Sequence, residues 1–285
     1  MAKPKVAVQM IVFQDEVKNS GYEKVFRWIK DKGCNWVELS KVPVNSKTMP
    51  ELERLCRSLP MRVCSMNVNL EHDPKGEPSL ADNFDELVSY GHKLNCEYFR
   101  IGMMPAWAFG KEDAHFRLAG IMEDAGKRLL AEGIHFYYHH HEIEFQKYSG
   151  GKYGLEIFLE NTSPKHVGIE LDTHWLQFGG QNPVHWIKKL KGRADLVHLK
   201  DYRIVMPLEG VKGEETSPKE NRKKIVQFAE IGTGNLDMKE IINTCIETGV
   251  KYLPIEQDTS YQLSPYESIG LSIDTIKAMG FAELF

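Results

Sequence analysis

The chain alternates between short apolar segments and amphipathic segments, and this alternation limits its possible folds more than any other feature. Eight apolar runs, each typical of a buried strand, are each followed by a helical pattern. Strands that alternate with helices predict a parallel sheet with right-handed crossover connections. The predicted strands cover 5–10, 35–40, 61–68, 97–103, 133–139, 166–172, 194–200 and 251–257.

Eight strand–helix units in about 250 residues fit a closed (β/α)8 barrel. The predicted fold class is therefore α/β, with one TIM-barrel domain over residues 1–285. A doubly wound open sheet is the alternative, but no GxGxxG motif follows the first strand, where a dinucleotide-binding domain would carry it. A long charged stretch at 205–224 is either a flap over the site or a solvated insertion.

Polar side chains follow the ends of the predicted strands, and in a barrel all strand carboxyl ends meet at one face. These residues are Glu38, Asn67, His139, His141, Glu144, Asp172, His174, His198, Lys200, Glu256 and Asp258. Glu144 and Asp172 are 28 positions apart, and Asp172 and His198 are 26 apart, which is about one strand–helix unit each. Carboxylates with an imidazole are suitable ligands for manganese, cobalt or magnesium, and zinc can bind them as well but is not specifically indicated. We therefore predict one divalent metal ion as cofactor.

Charge, the length of the apolar runs and the cysteine content limit the possible partners and the cellular compartment. The net charge of −4 and the lack of a basic block argue against nucleic-acid binding. No apolar run reaches the length of a membrane span, so no membrane partner is expected. The five cysteines are an odd number without a CxxC pair, which indicates reduced thiols in a cytoplasmic protein.

The segment YYHHHEIEF at 137–145 carries three consecutive imidazoles and two carboxylates. It is followed, in order, by ELDTHW (170–175), HLKD (198–201), EIGTGNLD (230–237) and IEQD (255–258). In this order and spacing the chain resembles the sugar phosphate isomerase/epimerase superfamily of xylose-isomerase-like barrels. Within it, the chain is most similar to the inosose-dehydratase-like branch, with His140 standing where that branch has Asn.

The resemblance implies a divalent metal held by two acidic residues, a histidine and a further glutamate. Carried over by motif, the ligands are Glu144, Asp172, His198 and Glu256. His139 occupies roughly the place of the family's strand-5 ligand, so either His139 or Glu144 binds the metal. The partner would be a small-molecule sugar or cyclitol, and a homodimer or a homotetramer is the expected assembly.

The expected chemistry is proton abstraction next to a carbonyl, followed by loss of water from a keto-sugar or keto-cyclitol. We predict His139, His141, Lys200 and Glu256 as catalytic groups, and Glu38, Asn67, Trp107, His174 and Trp175 as substrate contacts. Strand alternation turns His139 and His141 inward and leaves His140 a packing role. Sugar isomerisation or epimerisation is the alternative reaction. A more remote alternative is an abasic-site endonuclease, which the net charge disfavours.

Overall fold

Eight parallel strands close into a barrel in the computed structural model, which describes residues 3–205 and 225–285. Each strand pairs with the next along the chain, and the last closes the ring against the first. The predicted (β/α)8 barrel is therefore confirmed. The strands are β1 (Lys5–Gln9), β2 (Trp36–Leu39), β3 (Arg62–Asn67), β4 (Tyr98–Ile101), β5 (His135–His139), β6 (Val167–Asp172), β7 (Leu196–His198) and β10 (Tyr252–Ile255).

Helices connect the strands and cover the outside of the barrel. They are α1 (Gln14–Ser20), α2 (Glu23–Asp31), α3 (Met49–Ser58), α4 (Phe84–Leu94), α5 (Glu112–Ala131), α6 (Gly154–Glu160), α7 (Thr173–Phe178), α8 (Pro183–Lys189), α9 (Met238–Thr248) and α10 (Pro265–Ile276). The segment between β1 and β2 forms two helices rather than one, because Gly21 adopts a φ of 75° that ends α1.

Two features follow β6 and β7 that the sequence did not predict. The short helix α7 begins directly at the end of β6, and an antiparallel hairpin of β8 (Asp201–Ile204) and β9 (Val226–Ala229) follows β7. The hairpin packs against α7. Of the predicted flap or insertion at 205–224, every residue after Val205 lies outside the described residues.

The inside of the barrel is layered, because alternate side chains of each strand point inward. Aromatic side chains fill the amino-terminal end, where Tyr98, Tyr137 and Leu196 pack together. Residues two positions further along three strands are polar or charged, namely Arg100, His139 and His198. The barrel interior is therefore mainly aromatic and apolar at the amino-terminal ends of the strands and charged toward their carboxyl ends. None of the described helices is both long and apolar enough to cross a membrane.

Candidate active site

Four side chains from adjacent strand ends form a compact group of potential metal ligands. His139, Asp172, His198 and Glu256 each offer one ligand atom, and these atoms all lie within 4.8 Å of one another. His139, Asp172 and His198 are the last residues of β5, β6 and β7, and Glu256 directly follows β10. All four are buried. The parallel register of the barrel thus brings together residues that are far apart in sequence.

His198 lies at the centre of this group. Its Nδ1 atom is 3.0 Å from Oε2 of Glu256 and 3.8 Å from Oδ2 of Asp172. Its Nε2 atom faces the barrel interior, 3.0 Å from Oε1 of Glu38 and 3.2 Å from Oε1 of Glu170. Burial alone would lower the pKa of His198, but the carboxylates of Glu170, Glu38 and Glu256 outweigh it and raise the pKa well above its usual value.

Glu38, Glu170 and His198 form a second group of potential ligands, one layer deeper in the barrel. Here a cation is already present, because Arg100 donates from Nε to Oε1 of Glu38 at 3.0 Å and lies 2.9 Å from Oε2 of Glu170. Burial raises the pKa of Glu170, but Arg100 and His198 bring it below its ordinary value. This deeper group is therefore an internal ion network rather than a metal site.

The first group, made of His139, Asp172, His198 and Glu256 and called the upper group below, fits a divalent ion. Asp172 Oδ2 is buried and accepts no hydrogen bond from any described residue, while Asp172 Oδ1 accepts one from Trp175 N at 2.8 Å. Burial raises the pKa of Asp172 well above its ordinary value. Two carboxylates and two imidazoles are a donor set that divalent manganese, cobalt or zinc accepts. A bound cation would satisfy the unpaired oxygen and stabilise the ionised carboxylate.

Lys200 lies at the edge of the upper group, on the side toward the hairpin. Its Nζ atom is 2.9 Å from Oε2 of Glu256, 2.7 Å from Oδ2 of Asp258 and 4.0 Å from Oδ2 of Asp172. Burial lowers the pKa of Lys200, but these carboxylates outweigh it and raise the pKa above its usual range. The Trp175 ring lies 4.7 Å from the ammonium group, so Lys200 is a fixed cation beside an aromatic wall.

The three consecutive histidines have different surroundings. The ring of His139 lies 4.5 Å from that of His198, between centroids, and burial lowers its pKa well below the ordinary value. His140 is buried, and its Nε2 accepts a hydrogen bond from the backbone N–H of Asp172 at 3.1 Å. His140 therefore ties the end of β5 to the end of β6. The ring of His141 faces those of His139 and Trp175, at 4.9 and 5.3 Å.

Glu144 lies elsewhere than the motif implied. Strand β5 ends at His139, and the chain then turns into a 3-10 helix at Glu142–Phe145. The Glu144 carboxylate accepts hydrogen bonds from the hydroxyl of Tyr138 and, at 2.7 Å, from the backbone N–H of His141. Within the described chain, neither group of potential ligands includes it. Burial raises its pKa to about 7, and of the two strand-5 candidates the structure brings His139 to the group.

Two of the predicted substrate contacts, Glu38 and Asn67, are held within the protein. Glu38 is fully buried below the upper group and accepts a hydrogen bond from Ser65 Oγ at 2.6 Å. Asn67 Oδ1 accepts one from Arg100 Nη1 at 3.4 Å. Both side chains therefore make hydrogen bonds inside the protein, which leaves fewer of their polar atoms for a substrate.

The aromatic residues predicted as substrate contacts fall into two places. Trp107 donates a hydrogen bond from Nε1 to Oε2 of Glu71 at 2.9 Å. Trp175 stands beside His141 and Lys200, and its Nε1 finds no acceptor among the residues that the structure describes. His174 is buried against the rings of Trp175, Phe178, Tyr202 and Phe228.

Three residues of this centre were not predicted. Gln9 donates from Nε2 to Oε1 of Glu256 at 2.7 Å, and Arg100 and Glu170 complete the deeper ion network. The signal for Glu170 was available, because it lies two positions before Asp172 and must share its inward face. An arginine inside an otherwise apolar strand, as in YFRI of β4, was a second such signal.

Comparisons with known proteins agree with this architecture. The family model described as xylose isomerase-like TIM barrel matches residues 26–276. An inosose dehydratase of Bacillus cereus is 34% identical over 92 residues, which are 32% of this chain and 30% of that protein. The match therefore spans less than a third of either protein.

Solved structures are similar over nearly the whole chain. A sugar phosphate isomerase/epimerase of Parabacteroides distasonis aligns with a TM-score of 0.72 and 21% identity, covering 99% of this chain and 96% of that one. A probable 3-DHS dehydratase of Bacillus anthracis aligns with a TM-score of 0.69 and 12% identity, covering 96% and 98%. At these identities the likeness concerns the fold.

Proposed function

This chain belongs to the xylose isomerase-like TIM barrel family, and from that premise we propose that it is a divalent-metal-dependent lyase. Its substrate would be a keto-cyclitol or keto-sugar, from which it eliminates water after proton abstraction next to the carbonyl. One observation carries the proposal: His139, Asp172, His198 and Glu256 form a buried group next to the cation of Lys200, and one oxygen of Asp172 accepts no hydrogen bond from the described residues.

The four residues of the upper group would hold the metal ion. Such an ion, when bound, would supply Lewis-acid chemistry: it would polarise a carbonyl or hydroxyl oxygen of a polyol and so acidify the neighbouring C–H bond. Gln9 and Lys200 hold the carboxylate of Glu256, and the amino end of α7 holds that of Asp172. The ligand atoms are thereby oriented in advance, which lowers the cost of assembling the site.

His141 is the residue best placed to act as the base. Its ring lies 4.9 Å from that of His139, at the edge of the upper group, and burial lowers its pKa below the ordinary value, which keeps the ring in the unprotonated form that a base requires. Its Nδ1 atom is buried without a hydrogen-bond partner in the described part of the chain. His139 and Glu256, the other predicted acid–base groups, each contribute one ligand atom to the upper group.

Lys200 would stabilise the negative charge that develops on the substrate. Its raised pKa keeps it protonated, and a fixed cation near an enediolate oxygen lowers the barrier to proton abstraction. The proton that His141 takes from the C–H bond can be returned to the departing hydroxyl, which then leaves as water. The Trp175 ring next to it offers an apolar face for the C–H side of a sugar ring and an indole N–H for a hydroxyl.

The local similarity to inosose dehydratases favours dehydration. Isomerisation or epimerisation of a sugar is the second candidate, because it needs the same base and metal and differs in where the proton returns. The five cysteines are free thiols, four of them buried, which is consistent with a reducing cytoplasm.

The test is incubation of the manganese-loaded protein with 2-keto-inositol in deuterated buffer. Dehydration predicts loss of substrate together with new enone absorbance. Deuterium incorporation without loss of water would instead support the isomerase or epimerase. Neither deuterium uptake nor substrate loss, on this cyclitol and on a panel of keto-sugars, would contradict both proposals.

A further inference from the structure

The imidazole of His198 lies between two sets of carboxylates, one on each ring nitrogen. Nδ1 faces Glu256 and Asp172 in the upper group, and Nε2 faces Glu38 and Glu170 in the deeper network. A metal-bound imidazole carries one proton, on the nitrogen that does not bind the ion. Which nitrogen keeps the proton therefore decides whether His198 can serve the upper group.

The deeper network offers one well-aligned acceptor to Nε2. Glu38 Oε1 lies 3.0 Å away with hydrogen-bonding geometry. Glu170 Oε1 is at 3.2 Å, but it forms no hydrogen bond with any described residue, so its attraction to the ring is electrostatic. Of the two carboxylates, Glu38 is the one that can fix the ring by a directed bond.

Glu38 is itself held in place from both sides. Arg100 donates to its Oε1 atom, and Ser65 Oγ donates to its Oε2 atom at 2.6 Å. The carboxylate is fully buried, so no rotation toward solvent competes with these bonds. An ionised carboxylate accepts hydrogen bonds and donates none. Glu256 makes an equally short contact with Nδ1, at 3.0 Å, but Glu256 is itself a proposed metal ligand, so a bound ion can replace the proton between them. Glu38 is already held by Arg100 and Ser65, so its contact with Nε2 keeps the proton.

We infer that Glu38 is a positioning residue that keeps the proton of His198 on Nε2 and so leaves Nδ1 free to bind a divalent ion. This inference rests on the proposed metal-dependent function. Such carboxylate–histidine pairs typically contribute 10–100-fold to metal affinity in other proteins. Glu38 would thus act on the metal through His198, rather than on the substrate as its position at the end of β2 suggested.

The experiment compares cobalt binding by the wild-type protein, Glu38→Gln and Glu123→Gln. Glu123 is a matched control, because its carboxylate also contacts a histidine, His166 Nδ1 at 2.6 Å, outside both ligand groups. We expect Glu38→Gln to bind Co2+ about 10–100-fold more weakly in competition with a chelator. Glu123→Gln should keep the wild-type affinity and cobalt absorption spectrum.

A second measurement needs no variant at Glu38, in case Glu38→Gln does not fold. In zinc-loaded, 15N-labelled wild-type protein, two-bond 1H–15N correlations report which ring nitrogen of His198 carries the proton. The His198 signals are assigned by their absence in His198→Asn. We expect a protonated Nε2 and a bare Nδ1.

The outcomes separate this inference from the proposed function. Wild-type affinity in folded Glu38→Gln, or a proton on Nδ1 with Nε2 bare, would overturn the role of Glu38 and leave the metal site intact. A wild-type protein that binds neither Co2+ nor Zn2+ would overturn the proposed function, and this inference with it.

Discussion

The Nδ1 atom of His198 lies 3.0 Å from Oε2 of Glu256, although the two residues are 58 positions apart in the sequence. Glu256 Oε2 also accepts a hydrogen bond from Lys200 Nζ at 2.9 Å. One carboxylate oxygen therefore meets a ring nitrogen and an ammonium group at the end of β10. This contact joins the proposed metal ligands to the proposed catalytic cation.

Asp172→Asn should separate metal binding from folding. Asparagine keeps the cap on α7 through its side-chain oxygen, but it removes a carboxylate whose ionised form is disfavoured by burial. We expect the metal-free variant to melt at the wild-type temperature or above it. Mn2+, which should raise the melting temperature of the wild-type protein, should not shift that of the variant. An equal shift in both proteins would mean that Asp172 is not a ligand.

Lys200→Met should destabilise the protein and abolish turnover. The variant leaves Glu256 and Asp258 without their buried cation, and breaking a buried ion pair from one side typically costs about 3–5 kcal/mol. Lys189→Met is the matched control, because Lys189 pairs with Glu156 at 2.8 Å on the surface. Urea unfolding should show a loss of at most about 1 kcal/mol for the control. Similar losses in both variants would contradict the placement of Lys200.

His139→Asn and His141→Asn should have different effects, although the two residues are two positions apart. His139 belongs to the ligand group, so its variant should lose metal affinity. His141 lies outside that group, so its variant should bind Mn2+ normally and lose about 100–10,000-fold in kcat, as for removal of a general base. Metal titration and steady-state kinetics on both variants check this. Normal metal affinity in His139→Asn would contradict His139 as a ligand and would support Glu144 in its place.

Glu144→Gln should change the pH dependence of stability. The folded-state pKa of Glu144 is raised from 4.5 to about 7, so the folded protein holds this proton more tightly than the unfolded chain. The free energy of unfolding should therefore fall as the pH rises from about 4.5 to 7, by at most about 1.4 kcal/mol for each pH unit.

Glutamine has no such proton, so the wild type should lose stability relative to Glu144→Gln over this interval and level off above it. Urea unfolding of both proteins at several pH values measures this difference directly, because the titrations of the metal site are common to both. A constant difference between the two proteins across the interval would contradict the raised pKa.

Much of the fold could be predicted from the sequence, because buried parallel strands are nearly continuous apolar runs. All eight predicted strands overlap the observed ones. The hairpin that follows β7 was missed. Its first strand, DYRI, directly continues the apolar run of β7, so the sequence gives no break between them.

The site was harder to predict than the fold. Asp172, His198 and Glu256 lie together as expected, because each follows an apolar strand and the barrel register aligns the strand ends. Glu144 lies apart, because its position after β5 depends on a 3-10 turn that motif spacing does not reveal. Arg100 and Glu170 were not predicted because they lie within strands and not at the strand carboxyl ends, where a TIM barrel carries its functional residues.

The central claim is that one divalent ion, held by His139, Asp172, His198 and Glu256, is required for elimination of water from a keto-cyclitol. The most direct measurement removes metal with a chelator and adds Mn2+ back stepwise while enone formation from 2-keto-inositol is followed. We predict no turnover in the metal-free protein and a rise that saturates at one equivalent per chain, absent in Asp172→Asn. Full turnover by the metal-free protein, or by Asp172→Asn, would contradict the claim.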